Sequence, residues 1–226
     1  MAIVFDAATS DNGTFDTVFP AVVLTVGALT SRILVIDIAR IDGTETISSV
    51  AVNGSTTGVV FYGFKEFNDG ARQRRIDRYY KLNPASGSNS VVVALSGQTN
   101  AWSVGLHSWS GVDQTTPFGT IASASADSVG PITVNVSTSA GQVVLDAAVW
   151  GTSGQTVTVG AGQNQRINNG ATAVAAIAVS EETAGGASTT MSWTLSGQAQ
   201  WAQLAAVLNA AGGGAADPLM GAFMVS

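Results

Sequence analysis

The sequence predicts an all-β fold, a two-sheet antiparallel β-sandwich of jelly-roll type. Three observations support it. Apolar side chains alternate with polar ones in several segments, short turn sequences separate these segments, and 226 residues are enough to bury one sizeable core. We therefore assign residues 1–209 to one β-sandwich domain.

The strands follow from side-chain periodicity. In residues 131–137, apolar side chains at 132, 134 and 136 alternate with polar ones, which is typical of a half-buried antiparallel strand. Residues 31–38 and 89–96 are almost continuously apolar, which favours strands covered on both faces. Residues 198–208 fit a helical stripe as well as a strand face, and we assign them to the last strand. Further strands are predicted near residues 2–8, 17–26, 46–52, 58–64, 74–82, 101–109, 142–150, 155–159, 172–179 and 188–195.

Between these strands lie residue pairs that tolerate a positive φ and so favour tight turns. They occur at 11–13, 42–43, 53–54, 69–70 and 169–170, each an Asn or Asp followed by Gly or by Asn-Gly. Their regular spacing favours a sandwich or barrel over an α/β fold.

Composition excludes several classes of partner and site. Only 11% of residues are charged and the net charge is −6, so we expect no basic face for nucleic acid or an anionic membrane. Without cysteine the chain has no disulfide, zinc ribbon or thiol nucleophile. Residues 1–6 lack the basic start of a secretion signal, and no apolar run approaches the ~18 residues of a membrane span. We expect synthesis in the cytoplasm without a signal peptide.

No motif indicates catalysis. The only histidine, His107, lies in a predicted strand, and no Gly-x-Ser-x-Gly elbow occurs. Glu181 and Glu182 are adjacent, so a strand would point them to opposite faces, and we place them in a solvated turn. Residues 160–165 lack the third glycine of a dinucleotide site, and residues 11–16 complete no calcium loop. We predict no enzyme, no cofactor and no metal.

An arginine-rich stretch at residues 72–81 is the one charge cluster. If it forms a strand, Tyr79 can join His107 and Trp109 in a solvent-exposed aromatic patch, of the kind that stacks on a sugar or packs in a subunit interface. These three residues form our candidate ligand or interface patch. The alternative is an edge strand that its cationic side chains keep soluble.

After residue 209 the composition changes to a Gly-rich linker and an apolar C-terminal tail, residues 210–226. This tail either docks on a partner or folds back onto its own domain. The candidate partner-docking side chains are Leu219, Met220, Phe223, Met224 and Val225.

Four segments of the sequence resemble parts of a known protein module. Residues 80–93 contain a Pro-x-x-Gly turn before a valine-rich strand, and residues 110–117 read Ser-Gly-Val-Asp-Gln-Thr-Thr-Pro. Together with residues 141–147 and 201–205, they resemble a jelly-roll, lectin-like β-sandwich module of bacterial and phage proteins with poorly defined function. The resemblance covers most of residues 1–209 and implies fold rather than activity. The loop at 110–117 either bonds its own backbone or contacts a sugar or neighbouring subunit.

From these features we expect a structural or assembly protein of a phage virion, serving as capsid decoration, head fibre or tail component. It would act through protein–protein contacts with other particle subunits and form a homo-oligomer. Its location would be the virion or another extracellular particle. The alternative is a carbohydrate-binding or adhesin module that recognises a surface glycan.

Overall fold

The computed structural model describes residues 1–41, 45–70, 73–128, 130–151, 155–170 and 174–212. This part of the chain consists of antiparallel β-strands with turns and loops, which confirms the all-β prediction. The strands are β1 Val4–Thr14, β2 Val22–Val26, β3 Ile33–Ile41, β4 Ile47–Val52, β5 Val59–Asn68, β6 Gln73–Leu82, β7 Gly87–Leu95, β8 Ala101–Ser110, β9 Ala122–Ser128, β10 Pro131–Ser137, β11 Val143–Trp150, β12 Val157–Val159, β13 Asn164–Asn168, β14 Ala176–Thr183, β15 Ser188–Leu195 and β16 Ala199–Leu208.

The two halves of the chain have the same topology. Strands β1 to β8 form a five-stranded sheet in the order β1-β8-β3-β6-β5 and a three-stranded sheet in the order β2-β7-β4. Adding eight to each strand number gives the two sheets of the second half, β9-β16-β11-β14-β13 and β10-β15-β12. The described chain therefore has two sheets per half, where the sequence predicts two in all. The jelly-roll type stays a prediction.

Matching residues confirm that the halves are equivalent. Residues 95–98 and 195–198 both read Leu-Ser-Gly-Gln and end the seventh strand of each half. In both copies the serine hydroxyl accepts a hydrogen bond from a threonine amide, that of Thr46 at 3.0 Å in the first half and that of Thr156 at 3.1 Å in the second. Each half also carries a buried tryptophan near the start of its eighth strand, Trp102 in β8 and Trp201 in β16.

The sheets stack in four layers. The two five-stranded sheets pack face to face, and their shared core joins Ala39 and Ile76 of the first half to Ile177 and Leu204 of the second. The three-stranded sheets cover the two outer faces, where Leu34 and Val93 pack in one sandwich and Trp150 and Trp193 in the other. Burial on both faces explains why β3, β8 and β16 are buried along their whole length.

Several local predictions can now be compared with the structure. Of residues 198–208, Ala199–Leu208 form a strand, as predicted. Asn53 and Gly54 both have a positive φ, 52° and 77°, so the turn predicted there is confirmed. Residues 11–13 are not a turn but continue β1, and Glu181 and Glu182 lie in β14 rather than in a turn. The tail residues Leu219, Met220, Phe223, Met224 and Val225 lie outside the described residues.

Candidate functional site

The candidate site is a groove on the outer face of the first five-stranded sheet. A sheet of three strands cannot cover one of five, and its last strand, β4, lies beside β6 and β5 without covering them. The resulting cavity of about 290 Å³, the β5–β6 groove, is lined by Arg40, Glu45, Thr46, Ile47, Phe61, Gln73, Arg75, Asp77 and Tyr79.

Aromatic rings form one wall of the β5–β6 groove. Phe61 is 47% exposed, and its ring centroid lies 5.1 Å from that of Tyr79. Phe64 is 45% exposed, lies 6.5 Å from Phe61 and carries the Arg75 guanidinium 3.7 Å above its centroid. The register explains this cluster, because Phe61 stands opposite Tyr79 and Phe64 opposite Asp77 on the same face of the strand pair.

Ion pairs form the floor. The Asp77 carboxylate accepts hydrogen bonds from Arg40 Nη2 at 2.9 Å and from Arg75 Nη2 at 2.8 Å, and Arg75 also reaches Glu66 at 3.2 Å. Burial by itself lowers the pKa of Arg75, but the hydrogen bonds and charges of Asp77 and Glu66 outweigh it and raise that pKa. Burial raises the pKa of the Tyr79 hydroxyl. The floor is therefore charged but internally neutralised.

Two polar atoms in the groove wall have no partner among the described residues. They are Nε of Arg40, whose side chain is 6% exposed, and Oε2 of Glu45. The rest of Arg40 is held in place, because Nη1 donates to the Glu45 carbonyl and Nη2 to Asp77. Buried polar atoms are nearly always hydrogen-bonded, so this donor and this acceptor stand out, although both have almost no accessible surface.

The predicted patch of Tyr79, His107 and Trp109 is not formed. Tyr79 stands opposite Ile36 and faces the three-stranded sheet, whereas His107 stands opposite Val35 on the other face. His107 is 0% exposed and Trp109 3% exposed, so both lie in the interior between the two halves. Of the three, only Tyr79 belongs to the β5–β6 groove, where its aromatic neighbour is Phe61 of β5.

His107 belongs instead to a buried ionic network. Arg78 donates to both oxygens of Asp37, from Nε at 2.7 Å and from Nη2 at 2.9 Å, and His107 Nε2 lies 3.0 Å from Asp37 Oδ2. Trp109 Nε1 donates to His107 Nδ1 at 2.8 Å, so Nδ1 is unprotonated and Nε2 carries the proton. Both ring nitrogens are occupied, and the ring cannot reach solvent or a substrate.

The protonation states in this network follow from burial and pairing. Burial by itself raises the pKa of Asp37, but the charge and hydrogen bonds of Arg78 and the hydrogen bond of His107 outweigh it and lower that pKa. Burial lowers the pKa of His107, which is therefore neutral. The network is a buried Arg⁺–Asp⁻ pair with a neutral histidine, facing the second half, where Arg78 also contacts the Leu145 carbonyl at 3.4 Å.

A second buried carboxylate lies inside the second half. Asp146 Oδ1 accepts from the amide and hydroxyl of Ser180 at 3.0 and 2.6 Å, and Oδ2 accepts from Trp193 Nε1 and Gln203 Nε2 at 2.7 Å each. Burial raises the pKa of Asp146 to about 6, because these neutral donors compensate desolvation only in part. Asp146 is fully enclosed and is a structural group.

The loop at residues 110–117 is the connection between the two halves. The amides of Thr115 and Thr116 both donate to Asp113 Oδ1 at 2.8 Å, which lowers the pKa of this carboxyl. The Asp113 amide in turn donates to the Asn209 carbonyl at 2.8 Å. The interpretation that the loop bonds its own backbone is thus confirmed. Part of it also lines an end cleft of about 570 Å³ with Met1, Gln142 and Ala210.

In the part of the chain that the structure describes, no three His, Cys, Asp or Glu side chains are grouped to hold a metal ion. Within the same residues, no helix is long and apolar enough to cross a membrane. Searches with the chain found no match among protein-family models, curated proteins or solved structures. The geometry described above is therefore the basis for a functional proposal.

The sequence pointed to Tyr79 but not to the rest of the β5–β6 groove. Residues 59–68 contain three phenylalanines within seven positions, and in the hairpin register from Asn68–Gln73 to Gly63–Arg78 alternation places Phe64 on the face of Asp77 and Tyr79. A register shift between Phe61 and Gly63 leaves Tyr62 as an extra residue and brings Phe61 to the same face. The signal that could have indicated this bulge is Gly63, because an isolated glycine within a strand pattern is typical of one.

Proposed function

We propose that the chain is a structural or assembly protein of a phage virion, a capsid decoration, head fibre or tail component, and that it acts through protein–protein contacts. The observation that supports this proposal is the distribution of exposed apolar side chains. Of the ten large apolar residues exposed in the described chain, nine lie in the first half: Met1, Val4, Phe15, Val18, Val23, Leu29, Val60, Phe61 and Phe64. Only Val174 lies in the second half.

The outer faces of the two three-stranded sheets show the same asymmetry. In the first half the outward positions of β2, β7 and β4 include Val23, Val92, Ala94 and Ala51 among serines and a threonine. In the second half the outward positions of β10, β15 and β12 are Pro131, Thr133, Asn135, Ser137, Ser188, Thr190, Ser192, Thr194 and Thr158. The two halves therefore share one topology, but the outer face is apolar in the first half and rich in hydroxyl groups in the second.

The apolar outer face has the composition of an interface core. Such cores are depleted of charged residues; neither outer face carries a charged outward side chain, and only that of β2, β7 and β4 also presents valine and alanine. Exposed apolar area of this kind marks contact surfaces on soluble proteins. We propose that a neighbouring subunit of the particle, or a second copy of this chain, covers this face, with the particle as the site of action.

A matched pair of variants tests the proposal. Val23→Lys places a charge in the apolar outer face, whereas Thr133→Lys places one at an outward position of β10, the equivalent strand of the second half. Both positions are exposed, so neither change should unfold the chain. We expect Val23→Lys to reduce co-sedimentation with purified particles, or self-association by native mass, at least tenfold, and Thr133→Lys to leave both unchanged.

Two results would contradict the proposal. One is a chain that stays a 22.8 kDa monomer and never sediments with particles. The other is an equal loss of association in both variants, because association would then not depend on the apolar outer face.

A further inference from the structure

We infer that the β5–β6 groove is a saccharide-binding site, with a sugar ring on Phe61 and Tyr79 and its hydroxyl groups on Arg40 and Glu45. This inference goes beyond the proposed function and does not rest on it, because the groove and the outer face of β2, β7 and β4 are different surfaces.

The aromatic wall supplies the apolar half of such a site. Phe61 and Tyr79 are neighbours at 5.1 Å between centroids, and Phe61 is 47% exposed, so ring surface is open to the groove. Phe64 differs, because the Arg75 guanidinium already covers its face at 3.7 Å. A sugar ring has an apolar C–H face that matches an aromatic ring, whose face is electron-rich.

The polar half follows from the two unpaired atoms. Arg40 Nε is a donor and Glu45 Oε2 an acceptor, and a buried group of this type is destabilising when it is left unpaired. Both atoms have almost no accessible surface, so a sugar hydroxyl reaches either of them only after a small side-chain shift. Hydroxyl groups both accept and donate, so they match this donor and this acceptor, which a purely anionic or purely cationic ligand cannot do.

Charge balance favours a neutral ligand. Asp77 is paired with both Arg40 and Arg75, and Arg75 is also paired with Glu66. The Glu45 carboxylate adds one negative charge, which repels an anion. A cation would compete with Arg40 and Arg75 for Asp77, whereas a neutral polyol leaves these pairs intact. They also hold the guanidinium of Arg40 in place, so its free N–H is oriented before the ligand arrives.

The size of the groove limits the ligand. Its volume of about 290 Å³ lies at the lower end of the roughly 300–1,000 Å³ that small-molecule sites span. We therefore expect recognition of a terminal mono- or disaccharide unit rather than of a long polysaccharide.

Glycan-array screening of the full chain, followed by calorimetric titration of the best saccharide, tests the inference. Tyr79→Ala removes a stacking surface, and Glu45→Gln keeps the side-chain shape while it removes a carboxylate acceptor. We expect each variant to weaken saccharide binding at least tenfold. Phe15→Ala is the matched control, because Phe15 is 62% exposed but does not line the groove.

Each alternative result is decisive. The inference fails if no saccharide binds, if the two groove variants bind as well as the parent, or if Phe15→Ala loses binding equally. It also fails if a peptide library binds the groove and saccharides do not. Circular dichroism and thermal midpoints confirm that each variant is folded. Val23→Lys should retain full saccharide binding and Glu45→Gln full particle association, so failure of one proposal is distinguishable from failure of the other.

Discussion

At the scale of single residues, the prediction from sequence was wrong for buried polar side chains such as His107, which it placed in a solvent-exposed patch. Alternation predicts that His107 and Trp109 share a face of β8, which is true, but it does not say whether that face meets solvent or a second sheet. Polar residues within a strand indicate a solvent-exposed face only when one face of that sheet is in contact with solvent. Here Asp37 and Arg78, distant in sequence, supply the partners that allow His107 to be buried.

Asp146 gives a pH-dependent prediction. Its pKa is about 6 in the folded chain and near 3.8 in the unfolded one, so the folded state binds the additional proton. Its stabilising contribution is therefore complete well below pH 3.8 and is lost as pH rises through about 6, by about 3 kcal/mol in all. Asp37 and His107, whose pKa values are lowered, act in the opposite direction and destabilise the fold as pH falls.

Comparison with Asp146→Asn isolates this contribution, because Asn does not titrate. Urea denaturation at pH 4 and pH 7 should show that the stability advantage of the parent over the variant is about 2 kcal/mol larger at pH 4. A difference that is constant across this range would show that Asp146 titrates normally.

At the scale of strands and turns, the sequence predicted the structure correctly where the backbone preference of a single residue determines it. Asn53 and Gly54 need a positive φ, which their chemistry permits, so the turn could be predicted. Asp11 to Gly13 carry the same signal but continue β1, because Gly13 is needed for space rather than for its φ. Strands β9 and β13 were missed, since they are edge strands of small or polar residues without apolar alternation.

Gly13→Ala tests the packing role of this glycine. A Cβ there would lie 2.7 Å from the Trp102 indole and 2.9 Å from Asp16 Oδ2, which accepts the hydrogen bond of that indole. Because Trp102 stacks on Phe19 at 4.2 Å and cannot move freely, we expect a loss of about 1–3 kcal/mol in stability.

The matched control is Gly185→Ala, where a Cβ meets nothing within 4 Å. Thermal unfolding of the two variants should show a lowered midpoint for Gly13→Ala only. Equal midpoints would mean that β1 can shift away from Trp102 without cost.

At the scale of the whole molecule, the duplication was present in the sequence but faint. The Leu-Ser-Gly-Gln tetrapeptide recurs 100 residues apart, at 95–98 and 195–198, yet Thr46 and Thr156 are 110 apart because loop lengths differ between the halves. Packing requires apolar residues at equivalent positions, not identical ones, so little else repeats. The β5–β6 groove could not be derived either, since it depends on how the three-stranded sheet lies over the wider five-stranded one.

The hydrogen bond from the Met1 amino group to the Ala211 carbonyl, at 2.9 Å, has a topological consequence. Positions 1 and 211 are neighbours, so a circular permutant that joins residue 212 to residue 1 through two or three glycines, opened between Gly185 and Gly186, should fold. Equal circular dichroism spectra and thermal midpoints within a few degrees would confirm it, and an unfolded permutant would refute it. A domain fused before residue 1 or after residue 212 would then leave from the same corner of the fold.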